Sequence, residues 1–589
     1  MAQNKKVDVV TVGAGLVAGI MAYELTKAGL EVVSLEQGPW LTTENDFTHD
    51  HDELRYNQRR ELMVDLSRET WTWRPSPKER ALPMRQYGSF NPHEGVGGAA
   101  VHWATQNWRF YPSDFEYLTH HVERYGASKL PPGNRIRDWG VTYDDMEPYY
   151  DKWEYDVGVS GKAGNIKGEK IEGGNVFEGP RAREYPLPSL TKSILADKFT
   201  AATKEMGYHP FPQPSAILSE AYPDLAGNMR GACLYCGFCT RYGCEVAAKG
   251  NSLVVHMPAA LATGKYEIRT NSYVYNIETD NTGKATGVSY IDSSGRSQFQ
   301  EADIVIVSAF QLMNVRLLLL SRSGSHADGI GNDRGLVGTN YTYQLGGGGS
   351  VGLFEGEQLN QFMGNGAMNA LIHDFEADNF DHSNLDFIGG GSISSGGGER
   401  NPIGSVGSVS GADGKSWGQS WKDALRQNWD SVSNIGIQGE SLPYDDQFVD
   451  LDPTYRDRFG FPLLRITFDW HENDYNLIRY LSPKMREILE KMGATNIVTQ
   501  KELTPYSIAP YQSTHTTGGA IMGTDPSTSV VTRYGQVWDT PNVFVVGASQ
   551  FPQNPGMNPT GTVGALAYMA SDGIVNHYVK DPDKIVADS

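Results

Sequence analysis

The stretch VDVVTVGAGLVAGIMAYELTKAGLEVVSLE, residues 7–36, limits the possible folds more than any other part of the chain. VDVVTV reads as a strand that turns at Gly13-Ala14-Gly15 into an amphipathic helix, and a second apolar strand closes the unit at Glu36. Strand, helix and strand in this order form a βαβ unit, which commits the chain to a parallel sheet covered by helices. The glycines give the unit a purpose. Gly13 permits the tight turn, Gly15 lets backbone N–H groups approach a pyrophosphate at the helix N-terminus, and Ala18 is small enough for helix and strand to pack closely. Glu36 stands where an acid accepts hydrogen bonds from an adenosine ribose. The pattern is a dinucleotide fingerprint in its required context, and it leaves flavin and nicotinamide both open.

Two lysines ahead of the apolar run imitate a signal sequence, but cleavage there would remove the fingerprint, so the run is read as a strand. No apolar run approaches the roughly 20 residues needed to span a bilayer. The most apolar one, IVIVSAF at 304–310, is of strand length. A net charge of −20 without a Lys/Arg-rich segment argues against a nucleic-acid partner, which needs clustered cations. With 589 residues the chain has room for two large domains, and its 66 glycines point to many turns and close backbone approaches. There is no internal repeat.

All four cysteines, Cys233, Cys236, Cys239 and Cys244, fall in GACLYCGFCTRYGC at 231–244. Disulfides would close only tiny loops here, and a chain with its own core does not need them. CxxCxxC with a fourth cysteine after four intervening residues gathers soft thiolates around one point. That suits an iron–sulfur cluster, 3Fe-4S or 4Fe-4S, with zinc, and then a disulfide or free thiols, as the alternatives.

Three further stretches are EGVGGAAVHWATQNWR (94–109), YQSTHTTGGAIMGTD (511–525) and NVFVVGASQFPQNPGMNPTGTVGALAYMA (542–570). With the fingerprint, the cysteine loop and ADIVIVSAFQLMNVRLLLLS (302–321), they resemble the glucose–methanol–choline (GMC) flavoprotein oxidoreductases nearly end to end. Within that family the chain looks most like the cluster-bearing branch of sugar and sugar-acid dehydrogenases, of the gluconate 2-dehydrogenase type. The resemblance implies an α/β fold, with a Rossmann-like FAD-binding domain and a discontinuous α+β substrate-binding domain built on a large sheet. FAD-binding pieces are expected at 1–134, 215–340 and 505–589, and substrate-binding pieces at 135–214 and 341–504. Between apolar alternating segments, the Gly/Ser-rich stretches at 341–354, 387–400 and 404–418 read compositionally as linkers or as loops near a pocket.

By resemblance His515 falls on the catalytic histidine and Asn558 on the second catalytic position, which also touches the cofactor. Gly97, Gly98 and His102 fall on the loop against the flavin, where His102 matches the position that tethers FAD covalently in pyranose oxidases. A histidine that only hydrogen-bonds the ring is the alternative. Gly547 and Ala548 look like the element closing over the flavin diphosphate, and Val274 is carried over with them as a cofactor contact. The chemistry fits: a hydroxyl is too weak an acid to ionise unaided at neutral pH, and histidine, with an ordinary pKa of about 6.5, is suited to take its proton.

The resemblance further implies partners. They are a sugar or sugar-acid substrate, a small subunit carrying a twin-arginine signal, and a cytochrome c or quinone acceptor. No CxxCH heme motif occurs in the chain, so a cytochrome would be a separate polypeptide. The expected location is the periplasm, held at the inner membrane through those partners, with the cytoplasm as the alternative. Two competing activities stay open: a glucoside 3-dehydrogenase forming 3-keto-glycosides, and a non-catalytic iron–sulfur electron-transfer subunit.

Overall fold

The computed structural model describes residues 2–48, 53–88, 90–509 and 513–586. Val7–Val12, Leu16–Lys27 and Val32–Leu35 form the strand–helix–strand unit. They sit inside a parallel sheet whose order is Tyr266–Arg269, Val32–Leu35, Val7–Val12, Ser297–Val307 and Thr540–Val545. Val9, Val10, Val305, Ile306, Val543 and Phe544 are fully buried, as expected of strands covered on both faces. The strand Ser297–Val307 is long enough to serve twice. Its first half leaves the parallel sheet and pairs antiparallel with Ala285–Ile291, which in turn pairs with Tyr273–Thr279.

A second sheet of six strands is antiparallel throughout. Its order is Phe211–Pro212, Ala370–Ile372, Gly391–Ser394, Val432–Gly439, Leu345–Leu353 and Thr495–Gln500. The helix Glu472–Lys491 lies on this sheet, burying Leu477, Ile478, Leu481, Met485, Ile488 and Leu489, a stripe at helical spacing.

This arrangement corrects the expectation for the Gly/Ser-rich stretches. LGGGGSVGL is an interior strand, Leu345–Leu353, paired on both edges, and Gly391–Ser394 is another; neither is a linker or loop. The reason is helix packing. A Cβ on Gly348 would come within 3.1 Å of Ile478 on the helix, and one on Gly352 within 2.7 Å of Ala494, just past the helix's end. The glycines bring the helix close to the sheet, and Gly348, at φ +69°, accommodates the register shift between Gly346 and Gly349. Of the three stretches, only 404–418 carries no strand.

The ends of the parallel strands set the site. Gly13 follows Val12, Glu36 follows Leu35, Ser308 follows Val307, and Gly547 comes two residues after Val545; all four line one cleft, as ligand sites in open α/β sheets do. No helix among the described residues is long and apolar enough to cross a membrane.

Candidate active site

The cleft has a volume of about 490 Å³. At one end, two glycine turns face each other. Gly13 has φ +88°, and a Cβ there would press on the backbone of Ala309 at 3.2 Å. A Cβ on Gly98, at φ +61°, would come within 2.9 Å of the Cα of Gly15. The Gly97 N–H donates to the Ala14 carbonyl at 2.8 Å, which locks the two turns together. Gly13 and Gly98 leave no room for a side chain, and Gly15 begins the helix whose free N–H groups open on the cradle. Ala18 is fully buried in that helix and forms none of the cleft wall, consistent with a packing role.

Glu36 accepts hydrogen bonds from the N–H groups of Ala14 and Gly38, each at 2.9 Å. Burial pushes its carboxyl pKa up while these donors pull it down. Val274, Gly547 and Ala548 line the same cleft. His102 also lines it; its Nε2 is buried without a hydrogen-bond partner, and burial, with the adjacent His93, holds its pKa well below the usual value. An orphaned ring nitrogen beside a long cleft with a side-chain-free cradle fits FAD: Gly13, Gly15 and Gly98 would hold the diphosphate, and His102 would meet the ring system.

At the other end stands a closed hydrogen-bond network. The short strands Thr342–Tyr343 and Thr516–Thr517 pair antiparallel, and the Gln344 N–H donates to the His515 carbonyl at 3.0 Å. That register sets the two side chains together, with Gln344 Oε1 and His515 Nδ1 2.5 Å apart. On the other side, His515 Nε2 lies 3.1 Å from Asn558 Nδ2.

The proton positions follow from the outer partners. Trp108 Nε1–H can only donate, and it donates to Asn558 Oδ1 at 2.9 Å, so Asn558 presents its NH₂ to His515. Gln344 Nε2 donates to the carbonyls of Pro555 and Met557, each at 3.0 Å, so Gln344 presents its oxygen. His515 therefore carries its proton on Nδ1 and offers a lone pair at Nε2. Burial depresses its pKa to about 4, which keeps it neutral at physiological pH. Asn558, Pro559 and Thr560 all line the cleft, so the positive N-terminal end of the helix Thr560–Asn576 opens on the same space.

Gln344 and Trp108 carry this geometry and have no signature in the sequence. Trp108 lies in the 94–109 stretch but far along the chain from Asn558, and Gln344 opens the glycine run; only the strand register brings them to their partners.

The four cysteines surround a separate, small apolar cavity with Ile217 and Lys249. None is disulfide-bonded. Burial pushes the Cys236 thiol up to about 11 and that of Cys239 well above its ordinary value. Tyr235 N–H and Asn365 Nδ2 approach the Cys233 sulfur at 3.4 and 3.7 Å. Among the described residues no three of these thiols bring their sulfurs within 4.8 Å of one another. Four soft thiols around one cavity are a donor set that an iron–sulfur cluster could use.

Known proteins of similar sequence and fold identify the family. The GMC oxidoreductase family matches twice, over residues 136–345 and 443–567. The chain is 40% identical to the gluconate 2-dehydrogenase flavoprotein of Pantoea cypripedii, across 99% of this chain and 95% of that one. It is 27% identical to the fructose dehydrogenase large subunit of Gluconobacter japonicus, across 97% and 98%. Among solved structures, pyridoxine 4-oxidase from Mesorbium loti shares the fold, with a TM-score of 0.58 at 17% identity over 97% of this chain and 99% of that one. The chain belongs to the GMC oxidoreductase family and is an FAD-dependent oxidoreductase acting on CH–OH groups.

Proposed function

We propose that the protein is a dehydrogenase that oxidises a secondary hydroxyl of a sugar acid, sugar or polyol to a ketone, with gluconate the leading candidate. FAD, when bound, supplies the hydride acceptor at N5. The protein's own residues prepare the hydroxyl. Its proton passes to the Nε2 lone pair of His515, while its oxygen accepts a hydrogen bond from the Asn558 NH₂, replacing the direct His515–Asn558 contact. The Gln344 oxygen steadies the Nδ1–H as the ring becomes cationic. The observation that carries this reading is the fixed tautomer of His515, which a non-catalytic subunit would have no use for. The 40% identity to a gluconate 2-dehydrogenase flavoprotein supports the sugar-acid class.

Cys233, Cys236, Cys239 and Cys244 would hold an iron–sulfur cluster, whose one-electron chemistry offers an exit to a separate cytochrome or quinone. Two observations support a docked acceptor there. The exposed Leu234, Phe362 and Met363 flank the cysteine loop, which is clasped to that second segment by the Gly237 N–H to Gly364 carbonyl bond. The similarity to a fructose dehydrogenase large subunit favours assembly with further subunits. Export as a folded chain by a small subunit with a twin-arginine signal, to the periplasmic face of the inner membrane, completes the proposal.

The test is anaerobic flavin bleaching with gluconate, sorbitol, fructose, glucose and sucrose. Rapid bleaching by gluconate is expected. Bleaching by glucosides alone, with a 3-keto product, would replace this reading with that of a glucoside 3-dehydrogenase.

A further inference from the structure

Lys249 is 1% exposed. Its ammonium donates to three backbone carbonyls: Cys239 and Tyr242, each at 2.7 Å, and Val101 at 3.3 Å. No carboxylate among the described residues forms an ion pair with it: Glu245, which lines the same cavity, is exposed, and Glu399, from a separate segment, is engaged with the N–H groups of Cys239 and Thr240. A buried cation whose only partners are neutral dipoles is costly, and such charges are ordinarily paired or opposed by an anionic ligand.

Its position says which ligand. Tyr242 and Cys239 belong to the cysteine loop, and Val101 immediately precedes His102 on the loop against the flavin. The connection between the two cavities is equally short in sequence: Cys239 lines the cysteine cavity, Thr240 and Arg241 line the cleft, and the Arg241 N–H donates to the His102 carbonyl at 2.7 Å. Lys249 is thus a fixed positive charge at the junction of the two cofactor sites, and it lines the cysteine cavity itself.

We propose that Lys249 is the buried counter-ion of the thiolate-held cluster, positioning the cysteine loop against the flavin loop and raising the cluster's reduction potential. The inference rests on the cluster reading above. Thiolate ligands make such a cluster anionic, and each electron it gains adds one negative charge. A nearby ammonium in a medium of low dielectric favours the more negative, reduced form. A structural clip would need only the hydrogen bonds to three carbonyls, which a neutral amide could make in part without the cost of burying a charge.

The test compares wild-type holoenzyme with Lys249→Gln and Lys249→Arg. Iron and acid-labile sulfide are measured first, followed by redox titration monitored by low-temperature EPR. At a fixed solution potential the reduced-to-oxidised ratio of the cluster is expected to fall at least tenfold in Lys249→Gln, a shift of about 59 mV to more negative potential for a one-electron couple. Lys249→Arg should stay near wild type. If Lys249→Gln loses its iron while Lys249→Arg keeps it, the positive charge is needed to hold the cluster at all, which also supports the proposal. A Lys249→Gln cluster titrating with wild type would overturn it and leave the cluster reading standing, as would loss of iron from both variants in folded, flavin-bearing protein. A wild-type protein without iron would remove the cluster reading and this inference with it.

Discussion

The flavin cleft and the cysteine loop are adjacent, yet they are built on opposite terms. In the cleft, each polar group of the His515 network has a partner of the right kind, and each partner is held by another: Trp108 fixes Asn558, the Pro555 and Met557 carbonyls fix Gln344, and both amides fix His515. The site is organised before any ligand arrives. The cysteine loop instead keeps one buried and three half-buried thiols, with desolvation raising the pKa of Cys233, Cys236 and Cys239, beside a buried ammonium that has no ion-pair partner among the described residues. It is organised around a group still to be supplied. The difference matches two tasks. Proton removal needs fixed donors and acceptors, whereas a cluster brings its own charge and the protein must offer ligands and a counter-charge.

Substitutions can break this contrast, and His515→Ala should have the largest effect. Flavin should remain bound while its reduction by substrate slows roughly 10²–10⁴-fold, the scale for losing a general base. Single-turnover kinetics near wild type in that variant would remove the base from His515. Gln344→Leu comes next, because it takes away a hydrogen bond to a ring that becomes cationic, a loss of about 1.5–3 kcal/mol or roughly 10–10²-fold in rate. A structural role alone would change yield and stability without altering the pH profile, so the profile must be measured as well.

In the wild type that profile follows from the sign of the His515 shift. Its pKa lies at about 4, below the ordinary value, so the free base persists as pH falls and the acid limb of flavin reduction should appear near pH 4. A limb near pH 6.5 would place His515 in a more solvated setting. Trp108→Phe should have the smallest effect, a few-fold to about tenfold, since it removes one neutral hydrogen bond and frees the Asn558 amide to rotate. His102→Ala sharpens the account of the other end of the cleft: wild-type protein should retain FAD on acid precipitation, and the variant should release it. A wild type that already releases its flavin would leave His102 as a hydrogen-bonding neighbour.

What could be read from the sequence follows the reach of each signal along the chain. The unit Val7–Val12, Leu16–Lys27, Val32–Leu35 was legible because strand alternation, glycine turn and helix periodicity are all local. His515, Asn558 and the four cysteines stand out because of their short motifs. Gln344 and Trp108 do not, since their roles depend on a strand register and a tertiary contact that no short window contains. The glycine run at 345–353 misleads for the opposite reason: composition reads as a loop, while the deciding fact is the helix Glu472–Lys491 packed upon it. Lys249 is a lone lysine in the sequence, and only its burial beside Cys239 and Val101 gives it meaning.

The central claim is that two neighbouring sites divide the work, with hydroxyl oxidation at His515 and Asn558 and electron exit at the cysteine loop. Anaerobic stopped-flow of Cys239→Ser with gluconate tests it most directly, first alone and then with a cytochrome or quinone acceptor. The account predicts flavin bleaching at close to the wild-type rate, followed by flavin that stays reduced in the presence of an acceptor that reoxidises the wild type. A folded, cluster-free Cys239→Ser protein that passes electrons to that acceptor at the wild-type rate would contradict it.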